Sequence, residues 1–74
     1  MQNDFCSGGA LAVKDGEKII EPINSAQEEF ETIILTQDWH PKEHSSFASN
    51  NSAEVYSTIE LDYGPQILWP DHCI

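Results

Sequence analysis

Residues 36 to 44 read TQDWHPKEH and place one aspartate and two of the chain's three histidines within seven positions. A carboxylate and neutral imidazoles are natural ligands for a single divalent ion. In an extended segment residues i and i+2 point to the same side, so Asp38 and His40 can face one point in space. Trp39 would then point the other way, toward packing, and Pro41 would stiffen the exit. Two ligands are too few for tight binding, because a catalytic metal usually has three protein ligands and open positions for water or substrate. His72, 32 residues after His40, is the candidate to complete the set. The plain alternative is a chance spacing or a surface Asp-His pair.

His44 has readings of its own. HPKEH matches H-x-x-E-H, the inverted zinc-peptidase motif, which needs both histidines on one face of a single helix. Pro41 opposes this, since proline fits only a helix's first turn and would leave His40 outside. A solvated loop histidine, or a hydrogen-bond partner of the ligands, suits His44 better than direct ligation. Phe5 and Trp69 are core aromatics or the two sides of a slot for a flat ring. Glu28 and Glu29 read as a solvated helix face. Cys6 and Cys73 have no neighbouring base in sequence and read as two thiols rather than a disulfide or a nucleophile.

These residues need elements to position them. Ile19, Ile23, Ala26 and Phe30, spaced by four, three and four, form one helical face, and Pro22 fits the first turn, which predicts a helix near residues 21 to 30. Thr32-Ile33-Ile34-Leu35-Thr36 follows at once, an unalternating β-branched and apolar run typical of a parallel strand buried on both faces. Helix then strand is an α/β unit, and ligands in such sheets gather beyond the strands' carboxyl ends, where Asp38 and His40 lie. Ser7, Gly8 and Gly9 mark one turn, and Lys14-Asp15-Gly16 marks another. From Pro41 onward the chain is rich in Ser, Asn, Pro and Gly and reads as loop, with Trp69 held extended by the following proline.

The 74 residues carry 13 acidic and 3 basic side chains, a formal charge of −10. Lys14, Lys18 and Lys42 are dispersed, which argues against nucleic-acid or anionic-membrane partners. No signal peptide or apolar run of membrane-spanning length is visible, so a cytoplasmic location is expected. One domain is the most the chain can hold. Its apolar burial roughly offsets the cost of ordering it, so a metal, a disulfide, a partner or more polypeptide is needed.

Three strings in order, MQNDFCSGGALAV, LTQDWHPKEHSSFAS and YGPQILWPDHC, closely resemble the nicotinamidase/pyrazinamidase group of the isochorismatase-like cysteine hydrolases. The resemblance runs through nearly the whole chain. It implies a Rossmann-like, mostly parallel three-layer α/β fold, of which residues 1–74 would be an N-terminal portion. It also implies hydrolysis of nicotinamide, and in some members pyrazinamide, within NAD salvage.

The resemblance assigns Asp38, His40 and His72 to one divalent ion (zinc, iron or manganese), with His44 as a further ligand in some members. Phe5 and Trp69 match aromatics that sandwich the pyridine ring, and Gln2 and Leu11 match positions lining the same pocket. The family's catalytic Asp would fall one position before Met1, and its Lys and nucleophilic Cys beyond Ile74, so the chain alone is expected to be inactive. A homo-oligomeric parent is compatible with the resemblance. Two rival readings are another isochorismatase-like hydrolase, which would lack the full metal set, and a stand-alone acidic metal-binding module without catalysis.

Overall fold

A computed structural model describes residues 1–74, which form two compact units, Met1–Asp38 and Trp39–Ile74. The first begins with a 3-10 turn at Asn3–Phe5 and a looped segment closed by main-chain bonds. The N–H groups of Leu11 and Val13 donate to the carbonyls of Asp4 (2.9 Å) and Phe5 (3.0 Å). Gly9 is required here by close approach: a Cβ at this position would lie 2.4 Å from the carbonyl oxygens of Asn3 and Asp4.

A 3-10 segment at Gly16–Ile19 then runs into the one α-helix, α1 (Ile20–Gln27). Pro22 sits in its first turn, where a missing N–H costs nothing. The helix stops three residues short of the predicted span, and turn-type bonds carry the chain on through Glu28, Glu29 and Phe30. Its apolar face is only partly covered, with Ile20 and Ile23 each 41% exposed.

The predicted strand at 32–36 does not form as a strand. Two strands exist in the chain and they pair with each other, so Ile33-Ile34-Leu35 has no ladder to join. Ile34 and Leu35 are 83% exposed, so the burial on both faces expected of a parallel strand is not met. Trp39, expected to pack, is also exposed.

The second unit corrects the expectation of loop from Pro41 onward. Strands β1 (Thr58–Leu61) and β2 (Gly64–Ile67) form an antiparallel hairpin, with Thr58 opposite Ile67 and Leu61 opposite Gly64. Gly64, at φ 119°, takes a backbone conformation closed to other residues at the turn. Pro65 is tolerated because a two-stranded sheet consists of edges.

Past β2, Leu68 exchanges bonds with the chain at Tyr56 and Ser57, and Trp69 then bridges in parallel to Phe47. The loop at 42–48 is held by carboxamides. Asn50 Nδ2 donates to the carbonyls of Lys42 and His44 (2.9 Å each), and Asn51 Nδ2 to those of Ser45 and Phe47 (2.8 Å each). Phe47 and Leu68 are fully buried, and Ala48, Cys73, Ser46 and His72 are buried as well. No helix is long and apolar enough to cross a membrane.

Candidate metal centre

The main chain brings the two outer histidines of the sequence together. Trp69 N–H donates to the Ser46 carbonyl at 2.8 Å, Ala48 N–H donates to the Trp69 carbonyl at 2.9 Å, and His40 N–H donates to the Cys73 carbonyl at 2.8 Å. The imidazoles of His40 and His72 therefore stand with centroids 5.0 Å apart, inclined by 69°. Phe47 backs both rings edge-on, at 5.5 Å from His40 and 5.4 Å from His72.

The proton positions on His72 follow from its partner. Its Nδ1 lies 2.8 Å from the Pro70 carbonyl, which can only accept, so Nδ1 carries the proton and Nε2 is the lone-pair nitrogen of the neutral ring. A main-chain carbonyl on one ring nitrogen is the usual way of orienting an imidazole toward a metal. Asp38 stands two residues before His40 in the chain. Ligand atoms of Asp38, His40 and His72 lie within 4.8 Å of one another, with the carboxylate exposed, His40 half-buried and His72 buried. Two imidazoles and one carboxylate suit zinc, iron or manganese and leave coordination positions for water or substrate.

His44 is engaged differently. Ser46 N–H, which can only donate, points to His44 Nδ1 at 3.2 Å, and Ser46 Oγ lies 2.7 Å from the same atom. Nδ1 is therefore the acceptor, and the neutral ring carries its proton on Nε2. The ring lies 4.6 Å from that of His40. His44 thus presents an N–H donor beside His40, outside the three-residue ligand group.

The remaining predicted residues have these surroundings. Phe5 and Leu11 belong to the N-terminal looped segment. Trp69 is half-buried, with Tyr56 edge-on at 5.9 Å and 89°. Cys6 and Cys73 are both free thiols, and Cys73 is buried at φ 52°. Gln2, expected in a ring-binding pocket, forms two hydrogen bonds to the main chain of Asp38. Sequence reasoning missed Ser46 and the Pro70 carbonyl. The signals were the H-x-S and P-x-H spacings, in which a group two positions from a histidine reaches back to its ring.

No family model matches the chain. The chain is, however, similar over its whole length to the nicotinamidases of Acinetobacter baylyi, at 52% identity over 75 residues, and Escherichia coli, at 47% over 78. A solved structure of a nicotinamidase/pyrazinamidase from Acinetobacter baumanii superposes with a TM-score of 0.92 at 55% identity, covering 97% of this chain and 35% of that one. The chain spans 35% and 37% of the two curated relatives, about a third of their length. The resemblance carried by the three motifs thus extends to the whole chain and to its backbone.

Proposed function

We propose that the chain is the metal-holding part of a nicotinamidase, a cysteine amidohydrolase that converts nicotinamide to nicotinate and ammonia in NAD salvage, with pyrazinamide as a further substrate. The similarity to nicotinamidases over every residue of the chain carries this reading, and the grouping of Asp38, His40 and His72 supports it. The parent fold would be the mostly parallel three-layer α/β fold of the isochorismatase-like hydrolases. The exposed run at Ile33-Ile34-Leu35 supports that fold, since it has the composition of an inner strand.

In this reading Asp38, His40 and His72 hold one divalent ion. When bound, the ion supplies a Lewis-acidic anchor for the substrate's ring nitrogen, directly or through water, and can acidify a bound water. The Pro70 carbonyl keeps His72 in the ligating tautomer, and Phe47 packs against both imidazoles. His44, through its Nε2–H, offers a hydrogen bond beside the ligands. Phe5, Trp69, Gln2 and Leu11 are the positions the resemblance assigns to the pyridine pocket. The Asp, Lys and Cys of amide hydrolysis have no counterpart in the matched motifs, so acyl transfer is not assigned to this chain.

Two measurements test the proposal. Bound zinc, iron or manganese should approach one per chain in the wild type and fall in Asp38→Ala, His40→Ala and His72→Ala; undiminished stoichiometry in all three would sink the metal reading. The 74-residue chain should release no ammonia from nicotinamide, and sustained turnover by the purified chain would overturn the assignment of the acylation chemistry to residues elsewhere.

A further inference from the structure

Gln2 treats Asp38 as a β-strand treats its neighbour. Its carboxamide has the same donor and acceptor as a peptide group, and both arms are used on one residue. Gln2 Nε2 donates to the Asp38 carbonyl at 2.9 Å, and Asp38 N–H donates to Gln2 Oε1 at 2.7 Å. The partners are a carbonyl and an N–H, so they fix which end of the amide is which. The two residues are 36 positions apart in sequence, which makes this a tertiary contact within the first unit.

We infer that Gln2 is a positioning residue for the metal ligand Asp38, clamping its main chain so that the carboxylate stays directed at the ion. The inference rests on the metal reading above, and it is separate from the pocket position that the resemblance gives Gln2. Asp38 is exposed, so packing does not hold it. An exposed carboxylate on an unrestrained main chain loses both backbone and side-chain freedom on ligation, whereas one already fixed at N–H and C=O loses only the latter. Groups that orient metal ligands typically contribute about 10- to 100-fold in affinity.

The test has a metal-free arm and a metal arm. In the metal-free chain, the Asp38 amide should exchange with solvent at least tenfold faster in Gln2→Met, which keeps length and shape but removes both bonds. The amides of Leu11 and Val13, bonded within the same looped segment, should not change. Gln2→Glu, which keeps the acceptor for Asp38 N–H, should restore part of the protection. An unchanged Asp38 amide, or equal loss at Leu11 and Val13, would overturn the clamp whatever the metal does.

In the metal arm, zinc affinity by competition with a chromophoric chelator should fall roughly 10- to 100-fold in Gln2→Met. The loss should vanish in an Asp38→Ala background and persist in a His44→Ala background. A loss of equal size in the Asp38→Ala background would overturn the inference, because Gln2 would then act by another route. Wild-type chain that binds no zinc, with the exchange result intact, would sink the metal reading and leave the clamp standing as a structural contact only, which also overturns Gln2's role toward an ion.

Discussion

Phe47→Ala should be the most damaging single truncation in the second unit. Phe47 is fully buried, and its ring lies 5.5, 5.6 and 5.4 Å from those of His40, His44 and His72. Cutting a buried phenylalanine to alanine costs about 3–5 kcal/mol through lost transfer energy and the cavity left behind. A native domain of 74 residues would have roughly 4–11 kcal/mol of stability, and a chain whose burial only offsets its ordering cost has no more than the low end of that, so this one change removes most of it.

The assay is urea unfolding followed by the fluorescence of Trp39 and Trp69, both in the second unit. Phe47→Leu, closer in volume, should cost less than about 1.5 kcal/mol, which separates the cavity from loss of the ring. Zinc at a hundred times its dissociation constant should return about 2.7 kcal/mol to any variant that still assembles the ligands. A Phe47→Ala chain that loses under about 1 kcal/mol, no more than an average substitution, would refute the placement of the core around this ring.

His44→Ala should leave metal stoichiometry near one per chain, in contrast to the loss in His72→Ala; equal loss in both would make His44 a ligand and refute the proton assignment drawn from Ser46. Gly9→Ala forces a Cβ against the carbonyls of Asn3 and Asp4 and should cost about 1–3 kcal/mol in thermal or urea unfolding; a neutral result would show that the looped segment is not packed as described. Ile34→Lys with Leu35→Glu should raise the concentration at which the chain stays monomeric in sedimentation without changing its far-ultraviolet spectrum, because both side chains are exposed. A loss of structure in that pair would mean that the two residues are core.

The grouping of Asp38, His40 and His72 is legible in sequence because residue types that can hold a metal are rare in this chain and two of the three are local. Asp38 and His40 share a side by simple alternation, and only one other histidine lies outside their segment. Pro41 was enough to separate His44 from a helical zinc motif. The hairpin was also written in the sequence. Thr58-Ile59-Glu60-Leu61 alternates polar and apolar, and Asp62 and Gly64 mark a turn. The second strand has no such alternation, because Pro65 and Gln66 break it, and only an edge strand tolerates a proline at that place.

The order of the 42–51 loop was not legible, for a different reason. Asn and Ser usually signal irregular chain, yet here Asn50, Asn51 and Ser46 spend their side chains on main-chain carbonyls and on His44. Composition counts such residues but does not say where their donors go.

The strand expected at 32–36 shows the converse. Its composition is that of a strand buried on both faces, but the one sheet is the β1-β2 hairpin and the run has nothing here to pair with. Asp38 and Trp39, just beyond it, escape that fate only in part. Trp39 is exposed like Ile34 and Leu35, while Asp38 is held by two bonds from a side chain 36 residues away. A carboxamide can stand in for one missing peptide neighbour because it carries one donor and one acceptor. It cannot stand in for the several that a buried parallel strand requires. The chain is therefore tied down at Asp38 even though the apolar run leading to it has no ladder.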